Sequence, residues 1–263
     1  MDKLLTLFPA DEKKKRKDIN LLMKEWKKEV SKSKRLFRGD GKLYSGHEYF
    51  VADGFFPNYY KQTPRILFIG REARYISGSD LIDIVLNLFK ENKVQSVTFW
   101  RRILYMLYGI KHKGKKRFKN IPDANTIAAQ MVESNNYGLA IMNISKYSND
   151  CDDGAAADTE LINGFLQDSH LNKRNYFKEE LTLLEPDIII TANLWARKIN
   201  YEYLDNIFGE KELINKYSNK ANLFSINFNN KKIKIIDTYH FSGPGIKDED
   251  YYLPVMRLLY NKT

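Results

Sequence analysis

The sequence predicts an α/β fold: a three-layer α/β/α arrangement with a central, mostly parallel four-stranded sheet, preceded by a basic N-terminal helical extension. Short apolar runs alternate with amphipathic, helix-like stretches, which is typical of a parallel sheet covered by helices. The runs are almost continuously apolar, as in strands that are buried on both faces. The chain of 263 residues shows no internal repeat and no long linker, so residues 46–263 are predicted as one domain and residues 1–45 as the extension.

The extension is predicted to be helical over residues 12–38. Apolar residues recur there at spacings of three and four, which places one apolar stripe against the body and lysines on the other faces. The stripe consists of Ile19, Leu22, Met23, Trp26 and Val30. Gly39-Asp40-Gly41 ends the pattern.

Four strands and four further helices follow. The strands are predicted at 65–69, 139–142, 188–190 and 233–236, and the helices at 79–91, 98–109, 157–168 and 175–184. Asn229-Asn230, between two apolar segments, predicts a hairpin turn and an additional antiparallel strand.

Composition excludes several classes of protein. Hydrophobic residues (43%) and charged residues (29%) are those of a folded chain. There is no run of 18 apolar residues for a membrane span and no signal-peptide pattern at the start. Cys151 is the single cysteine, which excludes an internal disulfide and a cysteine-based metal site within one chain. We expect a cytoplasmic monomer without metal or cofactor.

The net charge of +10 is concentrated in two segments. Residues 13–38 hold 12 Lys and Arg against three acids, and residues 111–119 hold six and no acid. The rest of the chain has 25 basic and 30 acidic residues. Such clustering favours a polyanion such as DNA as partner, although a charge run is often only a solvated face.

Polar residues follow the predicted strands where a ligand is expected to bind. Glu72 follows the first strand, Asn143 ends the second, and His240 follows the fourth, so these side chains should converge at one edge of the sheet. A carboxylate orients water, an amide reads the edge of a base, and an imidazole stabilises a leaving group. Hydrolysis of an N-glycosidic bond requires this set. Structural alternatives are a helix-terminal acid, a turn-capping amide and a core histidine.

Four motifs, spread over residues 65–245, resemble the uracil-DNA glycosylase superfamily in type and order. They are the Gly70–Glu72 turn after a strand, the strand ending in Asn143, the segment Phe177–Ile190, and the loop His240–Pro244. The resemblance implies the three-layer fold of that superfamily and an enzyme that flips a base out of DNA.

The resemblance also implies roles for individual residues. Glu72 would activate water, His240 would stabilise the leaving base, and Asn143 would read its edge. Phe99 would stack on the base, with Gly70 and Arg71 also at the base. Contacts to DNA are assigned to Ser242, Pro244 and Ile246 in the loop after His240, with Pro244 and Ile246 as a wedge, and to Lys113, Lys115, Lys116 and Arg117 in the second basic segment.

Departures from the family pattern concern the choice of base. Arg71 and Ala73 replace residues typical of the first motif, and Phe241 and Gly243 replace prolines of the last motif. Lys146 follows Asn143 closely, so a Schiff-base route stays open at this point.

The expected function is therefore a monofunctional DNA glycosylase that excises uracil or another modified base and leaves an abasic site, in DNA repair or in defence against phage with modified DNA. Two alternatives remain: an inactive DNA- or partner-binding module with this fold, and an α/β enzyme that processes free nucleotides or nucleosides.

Overall fold

A seven-stranded mixed sheet forms the centre of the protein in the computed structural model, which describes residues 3–36, 43–133, 136–150, 158–169, 174–195 and 201–260. The strands in this part are β1 Lys34–Leu36, β2 Leu43–Ser45, β3 Gly54–Phe55, β4 Ile66–Gly70, β5 Ala140–Asn143, β6 Ile188–Ala192, β7 Lys211–Tyr217, β8 Ala221–Phe228 and β9 Lys231–Thr238. Strands β1 and β2 form a separate antiparallel pair, and the others pair in the order β3-β5-β4-β6-β9-β8-β7.

Helices cover this sheet. They are α1 Lys13–Val30, α2 Gly46–Tyr49, α3 Leu81–Lys90, α4 Thr98–Lys111, α5 Ala124–Val132, α6 Thr159–Asp168, α7 Tyr176–Leu184, α8 Tyr201–Phe208 and α9 Glu249–Tyr260. In the described ranges, no helix has the length and apolarity needed to cross a membrane.

The four strands predicted from the sequence are present, and the prediction of a four-stranded sheet is wrong. Strands β5, β4, β6 and β9 are its parallel centre, while β3 on one side and β8 and β7 on the other add antiparallel strands. The hairpin turn at Asn229-Asn230 is confirmed, with positive φ at both residues. Strand β3 has only two residues, and β7 is an exposed edge strand without a buried face, so neither has a periodic apolar pattern.

The chain crosses the sheet in both directions. It runs from β4 through α3–α5 to β5 on one side, and then from β5 through α6 and α7 to β6 on the other side of β4. Both crossover connections are right-handed, but the first moves to one side of β4 and the second moves back across it. The helices of the first connection (α3–α5) and those of the second (α6 and α7) therefore lie on opposite faces of the sheet. The contacts agree: α3, α4, α5 and α9 pack among themselves, as do α1, α6 and α7.

Helix α1 is built into the interior. All five residues of the predicted stripe are buried, and Trp26 packs against Tyr176 and Phe177 with ring centroids 5.3 and 4.5 Å apart. Arg16 is also fully buried. The helix ends at Val30, earlier than the predicted residue 38. Residues 37–42, with the predicted helix stop, lie outside the described ranges, as does Cys151.

Helix α9 was not predicted from the sequence. Pro254 lies inside it, and a proline in a helix removes one backbone hydrogen bond. The helix forms because Tyr251, Tyr252 and Val255 are buried, and the element packs against α4. Tertiary burial outweighs the local penalty here.

The packing of α9 on α4 depends on Gly109. A Cβ at this position would lie 2.2 Å from Cε2 of Tyr252 and 2.7 Å from Sδ of Met256. The glycine thus allows the two helices to approach closely, although it weakens the interior of α4.

We expect Gly109→Ala to lower the free energy of unfolding by about 1–3 kcal/mol, because overpacking outweighs the helix propensity of alanine, which is about 1 kcal/mol. Urea denaturation measures the change. An unchanged or increased stability would show that the α4–α9 contact adjusts freely.

Candidate functional site

A cavity of about 490 Å³ opens at the carboxyl ends of the parallel strands. The turn after β4, the end of β5 and the loop after β9 supply polar residues, and α3 and the start of α4 supply its apolar wall, with polar Asn87 and Glu91 at the end of α3. Gly70 and Asn143 are aligned in neighbouring strands, whose connections leave toward opposite faces. This is the position where open α/β sheets bind ligands.

The cavity brings together four residues that were predicted as a site. Glu72, Phe99, Asn143 and His240 all line it, and so does Ser242. Residues more than 160 positions apart in the chain therefore share one pocket, as expected from the strand ends.

Glu72 is a largely buried carboxyl with one oxygen held and the other unpartnered. Oε1 accepts hydrogen bonds from Nδ2 of Asn149 (2.9 Å) and from the backbone N–H of Asp158 (3.2 Å). Oε2 is buried and has no hydrogen-bond partner in the described part of the chain. Burial raises the pKa of Glu72 to about 7, against the hydrogen bonds, which lower it. Near neutral pH this carboxyl therefore exists in both protonation states.

Asn143 is held from its backbone and sits against Gly70. Its N–H donates to Oδ2 of Asp53 at 2.7 Å. A Cβ on residue 70 would lie 2.4 Å from Oδ1 of Asn143, so only glycine leaves the amide in this place. Gly70, predicted to lie at the base, does not itself line the cavity, and what it provides is clearance for the amide of Asn143.

His240 presents a defined tautomer. The backbone N–H of Ser242 donates to Nδ1 at 3.4 Å, and the Ser242 hydroxyl lies 2.9 Å from the same atom. Because an amide N–H only donates, Nδ1 accepts, and the proton of the neutral ring is on Nε2. In this tautomer Nε2 is the donor nitrogen of the ring.

Buried Arg102 clamps the loop that carries His240. Its Nη1 donates to the carbonyls of Phe241 (2.8 Å) and Gly243 (3.0 Å), and its Nη2 to that of Ile246 (2.5 Å). Its Nε pairs with Asp248 at 2.8 Å. The position of Arg102 on α4 has no sequence signal, because a single arginine on a helix usually faces solvent.

The departures in this loop have structural reasons. The N–H of Gly243 donates to the carbonyl of His240 at 2.7 Å, which a proline would be unable to do. Phe241 is buried and packs edge-on against Phe68 and Phe99 at 5.9 and 5.4 Å. Gly243 therefore stabilises the loop through a backbone hydrogen bond, and Phe241 anchors it to the core.

Phe99 forms part of the aromatic wall. Its ring meets Trp100 at 5.4 Å and lies 6.3 Å from the ring of His240. Trp100 is buried beside it and also lines the cavity. Leu81, Ile84, Val85 and Leu88 of α3 complete an apolar surface of the cavity.

Two residues considered at the sequence level lie elsewhere. Arg71 is buried, donates to the carbonyl of Asn193 at 2.8 Å and does not line the cavity. Lys146 is fully buried, and its Nζ contacts both oxygens of Asp53 (2.7 and 2.8 Å) and Oε2 of Glu180 (2.9 Å). It does not line the cavity either, so the structure gives the Schiff-base route no support.

The predicted DNA contacts occupy two surfaces. Ser242 and Pro244 are exposed beside the cavity, whereas Ile246 packs against the core, which leaves Pro244 as the more accessible of the two wedge residues. Lys113, Lys115, Lys116 and Arg117 are exposed, but they follow the far end of α4, about 20 Å from its cavity end by helix geometry.

Part of the first basic segment is paired within the protein, Arg16 in the interior and Lys15 at the surface. Arg16 pairs with Asp80, and Lys15 pairs with Glu185 at 2.9 Å. The side chains of residues 34–38 lie outside the described set.

Comparison with protein-family models, with curated proteins and with solved structures gives no match. The function of the cavity is therefore argued from its geometry.

The raised pKa of Glu72 predicts a pH-dependent stability. The group has a pKa of about 7 in the folded protein and about 4.5 in the unfolded chain, so between these values the folded state retains a proton that the unfolded state releases. The contribution of Glu72 to the free energy of unfolding is fully present below pH 4.5 and is lost as pH rises through 7. Burial raises the pKa of Asp237 to about 6, in the same direction.

Glu72→Gln keeps an acceptor for Asn149 and is unable to ionise. We expect the loss of unfolding free energy between pH 5 and pH 8 to be smaller in this variant by about 1–3 kcal/mol, with the Asp237 effect cancelling in the comparison. Urea denaturation at both pH values measures it, with exposed Glu160→Gln as control. Equal losses in Glu72→Gln and wild type would mean that Glu72 titrates as an ordinary surface carboxyl.

Proposed function

We propose that the protein is a monofunctional DNA glycosylase, which hydrolyses the N-glycosidic bond of uracil or another modified base flipped out of DNA. One observation carries the proposal: a carboxyl, an amide, an imidazole and an aromatic ring from four distant segments line the same cavity. The position at the strand ends and the resemblance to the uracil-DNA glycosylase superfamily both support hydrolysis of an N-glycosidic bond by these residues.

In the proposed reaction, ionised Glu72 orients water and accepts its proton as the water oxygen bonds to C1′ of the sugar. The C1′–N bond breaks, and its electron pair leaves with the base. The Nε2–H of His240 stabilises the developing negative charge on the base. Asn143 hydrogen-bonds the base edge, and Phe99 stacks on its face. The products are a free base and an abasic site.

The apolar wall has a role in this mechanism. The α3 residues and Trp100 exclude water from the base, which strengthens each hydrogen bond to it. The same exclusion raises the Glu72 pKa, so the activating carboxylate forms as pH approaches neutrality.

Incubation with duplexes that each carry a different modified base, followed by alkali, tests the activity. We expect Glu72→Gln to reduce turnover by about 10²–10⁴-fold without loss of DNA affinity, because the water loses its base. The wild-type rate should rise with pH through about 7, the pKa of Glu72. Exposed Glu160→Gln is the control and should retain wild-type turnover.

Absence of an abasic product from every base tested, including bases of modified phage DNA, would refute the enzyme and favour a binding module. Excision only from free nucleosides would favour the small-substrate enzyme.

The basic segment 111–119 is proposed to contact DNA phosphates. Replacing Lys113, Lys115, Lys116 and Arg117 by Gln should weaken DNA binding and reduce the slope of log K against log salt by about 0.9 for each phosphate that the variant no longer neutralises. These side chains are exposed, so the fold should be preserved. Deletion of residues 1–38 is a poorer test, because α1 supplies buried Trp26 and Arg16.

A matched control removes the same charge elsewhere. Lys178, Lys216, Lys232 and Lys234 are exposed on α7 and on the strands β7 and β9. An equal loss of salt dependence in both quadruple variants would assign the effect to total charge and not to a DNA-contacting surface.

A further inference from the structure

Arg74 places an unpartnered guanidinium at the candidate site. It lies two residues after Glu72 in the turn that follows β4, and it lines the same cavity. Its Nε and Nη2 are buried and have no hydrogen-bond acceptor in the described part of the protein. The guanidinium lies over the ring of Tyr75 at 5.7 Å, which gives it a stacking surface but no acceptor.

Neighbouring carboxylates do not accept from the guanidinium of Arg74 in the described residues, although Oε2 of Glu72 is itself without a partner. Glu72 accepts from the amide of Asn149 through Oε1, and Asp150 accepts from the Ser148 hydroxyl at 2.5 Å. Arg74 lowers the pKa of Glu72, so the two charges act on each other without forming a hydrogen bond. The protein itself thus provides a favourable potential around Arg74 but no direct partner.

The two buried N–H donors of the half-buried Arg74 are costly without acceptors, since their lost hydration is not replaced. The guanidinium is the side chain best suited to a phosphate, because its parallel N–H groups match two phosphate oxygens. Its position also fits: the proposed mechanism places Glu72 beside C1′ of the sugar, and a phosphate is attached to the same sugar.

We infer that Arg74 binds a phosphate group of the nucleotide whose base occupies the cavity; this inference rests on the proposed function. Binding would give the guanidinium the hydrogen-bond acceptor that it lacks and fix the sugar relative to Glu72. The phosphate has two sources, the phosphodiester beside a flipped nucleotide in DNA and the terminal phosphate of a free mononucleotide. Neither source requires a particular base.

The first experimental arm uses a short duplex with one tetrahydrofuran abasic site, which does not depend on base identity. The phosphates on either side are natural or are replaced, one at a time, by uncharged methylphosphonate. We expect Arg74→Gln to weaken binding of the natural duplex about 10- to 100-fold, as for charge-assisted hydrogen bonds. With methylphosphonate at the contacted position, wild type and Arg74→Gln should bind equally.

The second arm compares deoxyribose 5-phosphate with deoxyribose, measured by titration calorimetry. If Arg74→Gln abolishes the preference for phosphate only in this arm, the source of the phosphate is a free nucleotide. If it does so only in the first arm, the source is DNA. Arg74→Lys should retain part of the preference in whichever arm responds, because it keeps the charge and loses the paired donors. Lys232→Gln, at the opposite end of β9 from the cavity, controls for loss of one charge.

The inference is overturned if Arg74→Gln weakens the binding of natural and methylphosphonate duplexes equally. It is also overturned if the wild type prefers the phosphate-bearing probe in neither arm. Thermal unfolding of each variant identifies a folding defect, and Arg74→Lys then serves in its place. These readouts need no catalysis. Failure of base excision with an intact Arg74-dependent preference would refute the glycosylase alone, and excision without that preference would refute only the role of Arg74.

Discussion

The hydrogen bonds and the ion pair of the buried Asp53 carboxylate are the interactions on which the site and its surroundings depend. It accepts the backbone N–H of Asn143 and the ammonium of Lys146, which also contacts Glu180 of α7. Arg16 of α1 donates to the Asp53 carbonyl at 3.4 Å. Burial, with the neighbouring carboxylate of Asp53, raises the pKa of Glu180 well above its usual range. A buried charge is tolerated when it is paired, and Lys146 is paired here with two carboxyl groups.

This cluster joins the two helix layers to the strand end. Helix α1 contributes Arg16, which also pairs with Asp80, and Asp80 caps the first turn of α3 by accepting from the Ile82 N–H. The cap orients the helix that forms the apolar wall of the cavity. Trp26 of α1 lies 5.0 Å from the Lys146 ammonium. The basic N-terminal helix is thus part of the support of the cavity, as well as a carrier of exposed lysines.

The second support of the cavity is Arg102, which acts on the opposite side. It holds three backbone carbonyls of the His240 loop and stacks over the ring of Tyr251 at 4.1 Å, and the Tyr251 hydroxyl donates to the His240 carbonyl. Asn143 and His240 are therefore each fixed through the backbone, and Ser242 also holds Nδ1 of His240. Supports of this kind hold the side chains of a site in one geometry.

Sequence alone was sufficient for the parallel core of the sheet and for the approximate site. Continuous apolar strands separated by amphipathic helices require buried parallel pairing, and strand ends then bring Glu72, Asn143 and His240 to one edge. The antiparallel edge strands, the helix around Pro254 and the partners of Lys146, Arg102 and Arg74 were decided by tertiary structure. A polar side chain carries the same local signal in solvent and in the interior, and only the long-range contacts of the folded chain determine whether it is exposed, paired with a carboxylate or left without an acceptor at a cavity.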